Sequence, residues 1–370
     1  MRERKPPRKT TAKKQSQYFD ISPSAPNAEK KPTLSQIHGE DRLDDYAWLA
    51  ATNWREALQD PDALPKNIKD LIEAENAYCE QVIKPLDALR KTLITEMRGR
   101  IKEADAEPPD FDGCYEYYEK FQEHAEYPLY CRRLRGDSRE TILLDIETRA
   151  QNKDFFDIGE IVHSPDHSQL AWSVDENGCE MFKIYTRKIS EDHDRTDVVS
   201  STDGTIVWNR SSQAFYYVFV DENHRPSQVR RHTIGANPTT DKLILEEIDS
   251  AWSISLSQSR CRNYGVITLY GHEATECWLI NLNNEISSPQ LVARRQNRLR
   301  YEVEPHGDLL FILNNYGGAD DFQISIAPLD QPESNYWQKI INHEPGFMIT
   351  SMTIFNNFLV WIKHNNTIPA

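Results

Sequence analysis

The amino-acid sequence predicts a mainly β protein, an incomplete β-propeller preceded by an N-terminal helical arm. Two observations carry this prediction. Four similar segments begin at Ser164, Asn209, Ser257 and Glu304, spaced 45, 48 and 47 residues apart, and a fixed period of this length with several strands per repeat is typical of propeller blades. Apolar residues recur at helical spacing before Glu107 and alternate as in strands after it. The competing interpretation is a long β-sandwich, in which the fixed spacing of the repeats would be a coincidence.

The N-terminal segment, residues 1–36, is rich in Lys, Pro and Ser and is predicted to be a disordered basic tail. Its first 14 residues carry a net charge of +6, so the remainder of this chain of net charge −15 carries about −21. An acidic body predicts no nucleic-acid partner along its surface. For the tail alone, an arm for nucleic acid or a membrane surface is the alternative.

A helical extension is predicted for residues 37–106. Its first helix shows an apolar stripe at helical spacing, made of Ile68, Leu71, Ile72, Tyr78 and Val82. Pro85 interrupts the stripe, so a helix end or kink is predicted at Lys84. A second stripe follows in Leu86, Leu89, Leu93 and Met97.

The propeller domain is predicted for residues 107–370. Successive blades are placed at 111–146, 155–190, 205–247, 252–293 and 301–343, and a sixth begins at Phe347 and is unfinished at Ala370. Because an open propeller exposes strand edges, we expect this chain to be truncated, with about five and a half blades.

Several residues that suggest chemistry have simpler structural explanations. His163 and His167 flank a Ser-Pro-Asp sequence that is typical of a β-turn. The acidic pairs Asp175-Glu176 and Asp221-Glu222 are predicted to solvate turns between strands. Aromatic residues at matching blade positions are predicted to form core between sheets, namely Trp172, Tyr216, Phe311 and Trp361.

The cysteines and the hydropathy pattern indicate a cytoplasmic protein. The six cysteines form no C-x-x-C pair, and buried reduced thiols are predicted. Cys114 and Cys131 are expected on neighbouring strands, where a bridge would need an oxidising compartment. No apolar run is long enough to cross a membrane, and no hydrophobic stretch follows the basic N-terminus as in a secretory signal. We therefore predict no membrane partner.

Several ordered segments resemble one peptidase family. They are HGEDRLDDYAWL (38–49), AENAY (74–78), EMRGRIKE (96–103), PLYCRR (128–133), HSPDH (163–167), DENHRPS (221–227) and NYGGADDF (315–322). Together they resemble the oligopeptidase B branch of the prolyl oligopeptidase family of serine peptidases. The resemblance implies a helical extension, a seven-bladed propeller and a C-terminal α/β-hydrolase domain with a Ser, Asp and His triad. It further implies cleavage of short peptides after Arg or Lys, with the propeller acting as a size filter.

The sequence predicts no catalytic, cofactor-binding or metal-binding residue. A nucleophile elbow needs G-x-S-x-G, and no two of the fourteen glycines stand four residues apart. We therefore expect this chain to be inactive without the missing hydrolase domain, and to meet short basic peptides only within the complete enzyme. Two alternatives stay open, a propeller-type protein-binding module and one half of a split peptidase.

Overall fold

The computed structural model describes residues 24–284, 288–365 and 368–369. The disordered tail was predicted for residues 1–36. Residues 1–23 lie outside the described residues, whereas residues 24–36 are described. There the prediction is wrong, because Thr33–Ile37 is a strand that pairs in antiparallel register with Glu40–Asp44. His38 and Gly39 connect the two strands with φ of 54° and 83°. Two successive positive φ values are typical of a two-residue hairpin turn.

Two compact units divide the chain. The first comprises the described residues up to Pro109 together with Tyr118–Pro128, and the second comprises Asp110–Tyr117 together with the described residues from Leu129 onwards. Each unit is described separately below.

The first unit is helical after its hairpin. The α-helices are Trp54–Gln59, Lys66–Ile83 and Asp87–Arg98, and the short 3-10 turns are Ala47–Leu49, Pro61–Ala63 and Lys84–Leu86. The predicted break at Lys84 is confirmed, since the α-helix ends at Ile83 and Pro85 lies in the following 3-10 turn. No helix among the described residues is both long and apolar enough to span a membrane.

The last helix of this unit exposes much of its apolar stripe. Leu89, Leu93 and Met97 are 55%, 47% and 63% exposed, whereas Leu86 is half-buried. In contrast, Ile68 of the preceding helix is buried. Leu89, Leu93 and Met97 therefore gain only part of the stability that full burial would supply, about 1.5–3 kcal/mol each.

The second unit consists of antiparallel sheets that follow one another along the chain. Their strands are as follows: sheet 1, Asp110–Asp112, Tyr115–Lys120, Leu129–Leu134 and Glu140–Asp145; sheet 2, Asp157–His163, Gln169–Asp175, Phe182–Lys188 and Val199–Thr202; sheet 3, Val207–Trp208, Ala214–Val220, Pro226–Thr233 and Lys242–Glu246; sheet 4, Ser253–Gln258, Tyr264–Tyr270, Thr275–Asn281 and Gln290–Leu291; sheet 5, Tyr301–His306, Leu309–Asn314, Gln323–Pro328 and Gln338–Ile341; sheet 6, Phe347–Ile354, Leu359–Asn365 and Ile368–Pro369.

The strand order follows the chain order within these sheets, as expected of propeller blades. Sheets 2 and 3 are joined by one pair, Thr202 with Phe219. The segment predicted as the blade 155–190 extends to Thr202, because a fourth strand follows the polar loop after Lys188. A short helix that the sequence did not predict, Ile146–Ala150, begins after sheet 1, where the Asp145 side chain accepts a hydrogen bond from Thr148 N.

Hydrophobic clusters fill the space between consecutive sheets. Tyr301 and Val303 of sheet 5 pack with Val266 and Leu279 of sheet 4. Equivalent clusters join sheet 2 to 3, sheet 3 to 4 and sheet 5 to 6. Face-to-face packing of successive sheets is the defining packing of a propeller. The predicted mainly β fold of propeller type is thus confirmed.

Two expectations about burial are wrong in part. Trp172 and Tyr216 are buried as predicted and Phe311 is half-buried, but Trp361 on sheet 6 is 37% exposed. Sheet 6 packs against sheet 5 through Ile349 and Leu359, and Trp361 contributes little to that contact because it stays partly in solvent. All six cysteines are free thiols, but Cys79 and Cys114 are exposed rather than buried. Cys114 lies in the turn between two strands of sheet 1, not on a strand.

Candidate channel site on the inner strands

The first strands of consecutive sheets lie next to one another. Ile206 N, just before sheet 3, donates a hydrogen bond to the Glu160 carboxylate of sheet 2 at 2.8 Å, and Trp208 Nε1 donates to Val162 O at 3.1 Å. In sheet 5, Glu304 accepts from Arg260 N of sheet 4 at 2.8 Å. In a propeller the blades surround a central channel, so these adjoining first strands are the inner strands.

Acidic side chains are concentrated on these inner strands. Sheet 5 alternates Tyr301 and Val303, which pack in the core shared with sheet 4, with Glu302 and Glu304, which are not part of that core. Glu160 lies on the first strand of sheet 2, and Asp203 lies in the connection that leads to sheet 3. Strand alternation therefore explains why Glu302 and Glu304 stay out of the core shared with sheet 4.

The electrostatic environment of these carboxylates favours their neutral forms. Burial raises the pKa of Glu160, and the nearby charge of Asp203 raises it further. The hydrogen bond from Ile206 N lowers that pKa but does not outweigh burial. Burial likewise raises the pKa of Asp203, Glu302 and Glu304. Glu160 and Glu302 are nevertheless accessible to solvent.

This acidic set has the character of a cation-binding surface. Among the described residues, no Lys or Arg forms an ion pair with Glu160, Asp203 or Glu302. An ammonium or guanidinium group nearby would restore the charged form of each carboxylate. A cationic group placed close to these carboxylates would therefore be stabilised.

At one end of the inner strands, a turn of sheet 4 contacts sheets that do not follow it directly. Arg262, in the turn between the first two strands of sheet 4, forms an ion pair with Asp112 of sheet 1. His163 of sheet 2 also contacts Asp112, with Nε2 2.7 Å from the carboxylate. The neighbouring Arg260 lies over the Phe355 ring of sheet 6, 4.9 Å from its centroid. The turns at this end of the sheets thus converge.

His163 is held in place by an aromatic neighbour. Its ring stacks on Tyr117 with centroids 3.7 Å apart. Burial lowers the pKa of His163, and the contact with Asp112 opposes this effect only in part. Burial alone would raise the pKa of Asp112, but His163 and Arg262 outweigh it and lower that pKa. A carboxylate between a neutral imidazole and a guanidinium is therefore stable in its charged form.

The predicted turn at His163 and His167 is confirmed. His167 N donates to Ser164 O at 2.8 Å, and His167 has a φ of 60°. The donor atoms of Asp112, His163 and His167 lie within 4.8 Å of one another, close enough to hold a metal ion. Asp112, however, already accepts from Arg262 and His163, and His167 Nδ1 lies 2.9 Å from the Tyr117 hydroxyl. The contacts are those of a hydrogen-bonded cluster.

The acidic pairs also behave as turn residues. The Asp175 carboxylate accepts hydrogen bonds from Asn177 N and Glu180 N at 2.9 and 2.7 Å. Asp221 accepts from Asn223 N at 2.9 Å and forms an ion pair with Arg225.

Sequence reasoning assigned no function to the acidic residues of the inner strands. For Glu302 and Glu304 a signal was present, since acidic and apolar residues alternate through Tyr301–His306. Nothing local distinguishes Arg262 or Asp112, because their contact joins segments distant in sequence. The prediction that the chain has no catalytic, cofactor or metal residue stays a prediction.

Comparison with known proteins defines the class of protein. The prolyl oligopeptidase N-terminal beta-propeller domain matches residues 26–369. The chain therefore belongs to the prolyl oligopeptidase family and contains its propeller.

Curated relatives and solved structures narrow the similarity to one branch. Protease 2 of Moraxella lacunata is 28% identical over 84% of this chain and 44% of its own length. Dipeptidyl aminopeptidase BI of Pseudoxanthomonas mexicana is 26% identical over 94% of this chain and 49% of its own length. The structure of oligopeptidase B from Leishmania major matches with a TM-score of 0.85 and 28% identity, over 94% of this chain and 50% of that one.

The resemblance to oligopeptidase B is thus confirmed. Oligopeptidase B from Trypanosoma brucei has the same fold, with a TM-score of 0.84 and 24% identity. The chain spans about half the length of the curated relatives it matches.

Proposed function

We propose that this chain is the N-terminal and propeller portion of a serine-type oligopeptidase that cleaves short peptides after Arg or Lys. In this proposal the propeller admits short peptides to its channel and excludes larger ones. Cleavage belongs to a hydrolase domain, which this chain needs as its partner.

One observation carries the preference for Arg and Lys. Glu160, Asp203 and Glu302 are carboxylates near the inner strands whose pKa values burial raises. Their unfavourable charged state is relieved by a cation, so a basic peptide gains binding energy that a neutral peptide of the same shape does not. Long-range attraction by the acidic body, about −21 outside the basic first 14 residues, assists the approach of such peptides.

Binding of a labelled peptide tests this preference. We expect a fluorescent tetrapeptide with two arginines to bind this chain, and its counterpart with two citrullines to bind at least about tenfold more weakly, because citrulline keeps the shape but not the charge. Fluorescence anisotropy at low and high salt measures both affinities, and screening should weaken only the arginine peptide. Equal affinities for the two peptides would contradict the proposed preference.

A matched pair of variants locates the binding to the channel. Glu302→Gln removes a carboxylate on an inner strand, and Glu246→Gln removes one on the outermost strand of sheet 3. We expect the first to weaken binding of the arginine peptide about two- to fivefold, as for a partly solvated ion pair, and the second to leave it unchanged. Equal effects of the two variants would place the peptide elsewhere.

Hydrolysis provides a separate prediction. The sequence contains no G-x-S-x-G, so it offers no nucleophile elbow to place a serine beside a base and an oxyanion hole. We expect the purified chain to leave Arg- and Lys-amide substrates intact and to take up no fluorophosphonate probe, as judged by chromophore release and in-gel fluorescence, with trypsin as the positive control. Labelling of any serine in this chain would contradict the prediction.

A further inference from the structure

The turn formed by residues 259–263 is held by its own backbone and by few contacts with other sheets. Arg262 N donates to Ser259 O at 2.8 Å, and Ser259 N donates to Tyr264 O at 2.9 Å, so the turn closes on itself. Apart from the hydrogen bond of Arg260 N to Glu304, the turn contacts other sheets through its arginine side chains, Arg260 on Phe355 and Arg262 on Asp112.

Arg262 and Asp112 make the contact that spans the inner end of the sheets. We use the name clasp for the Arg262–Asp112 ion pair together with His163, which supports the same carboxylate. Sheets 1 and 4 are not consecutive, so a contact between turns at the same end of both must pass across the end of the channel. The clasp therefore obstructs that mouth.

We propose that the clasp is a gate at this mouth of the channel, and that a peptide passes there only after Arg262 has left Asp112. The identity of the passing molecule, a short basic peptide, rests on the proposed function. The gate itself rests on the contacts between the sheets. Arg262 is about half exposed, so the freed guanidinium returns to water. Asp112 keeps its contact with His163, and that ring keeps its stacking on Tyr117, so opening leaves no carboxylate without a partner.

Cys261 provides a natural reporter of opening, because it is half-buried and lies between Arg260 and Arg262. Asp112→Asn keeps the shape of the side chain and removes the charge that holds Arg262. We expect it to speed alkylation of Cys261 by iodoacetamide about two- to fivefold, the range for a partly exposed ion pair. Peptide mass spectrometry measures the rate, and the exposed Cys79 provides the internal reference.

The matched control is Asp110→Asn, an exposed residue on the same strand. It should leave the Cys261 rate unchanged. Arg262→Gln is a second variant that breaks the clasp from the other side, in case Asp112→Asn fails to fold. Removing a cation next to a thiol slows its reaction, so a faster rate in this variant reports opening all the more clearly. Cys261 rates equal to wild type in the folded clasp variants would overturn the gate.

Peptide kinetics separate the gate from the proposed function. A gate changes the rates of entry and exit by the same factor and leaves the affinity unchanged. Stopped-flow anisotropy with the arginine peptide should therefore show faster association and dissociation in Asp112→Asn at a constant Kd. Unchanged rates would overturn the gate while the binding preference stands. If the peptide does not bind at all, the proposed function fails, and the Cys261 rates alone decide the gate.

Discussion

His232→Ala should destabilise the second unit by about 3–5 kcal/mol, because it removes a fully buried side chain that both Asp241 and Asp197 contact. The His232 side chain is 0% exposed and lies between Asp241, 2.8 Å from Nδ1, and Asp197, 3.1 Å from Nε2. Tyr217 donates a further hydrogen bond to Asp241 at 2.9 Å. Urea unfolding followed by tryptophan fluorescence measures the loss, with His272→Ala on the surface as the control. A loss below about 1 kcal/mol would contradict this account, because exposed ion pairs contribute no more than that to the free energy of unfolding.

The same network predicts how stability depends on pH. Burial alone would lower the pKa of His232, but the hydrogen bonds and charges of Asp241 and Asp197 outweigh it and raise that pKa. The stability from this group is therefore fully present below the unfolded pKa of about 6.5 and is lost as pH rises through the folded value. The unfolding free energy of wild type relative to His232→Ala should fall over that window. A difference that grows with pH would contradict the direction of the shift.

The repeat period made most of the fold predictable. Sheets 3, 4 and 5 begin and end within two residues of the segments predicted from the period, because each sheet buries alternate residues on both faces and so repeats one pattern. The fourth strand of sheet 2 was missed since an acidic, polar loop separates it from the third strand. The hairpin at Thr33–Asp44 was missed because its Lys- and Pro-rich surroundings masked a short alternation and the His38-Gly39 turn.

The candidate channel was much less predictable than the fold. The alternation of Glu302 and Glu304 shows which side of a strand is polar, but only the order of the sheets shows that this strand is an inner one. Arg262 and Asp112 meet because strands of different sheets end at the same mouth, and no short-range pattern records that geometry. His163 and His167 were correctly placed in a turn, yet their contact with Asp112 and Tyr117 is a tertiary feature.

Trp208→Ala should destabilise the second unit by about 3–5 kcal/mol, and Trp361→Ala should destabilise it clearly less. Trp208 is 1% exposed, packs in the cluster between sheets 2 and 3, and donates a hydrogen bond to Val162 O. Its removal leaves a cavity that the neighbouring strands cannot fill. It also removes the hydrogen bond to the Val162 carbonyl.

Trp361 is the matched control because it offers the same indole on a sheet that leaves it 37% exposed. Truncating a side chain that is more than a third exposed removes less buried area than truncating Trp208, so the two substitutions differ in burial rather than in chemistry. Urea unfolding of this chain, followed by circular dichroism, measures both losses. Equal losses would mean that Trp361 is covered in solution, by a second copy of the chain or by a segment packed on sheet 6. Sedimentation of the wild-type chain at several concentrations would then distinguish these two.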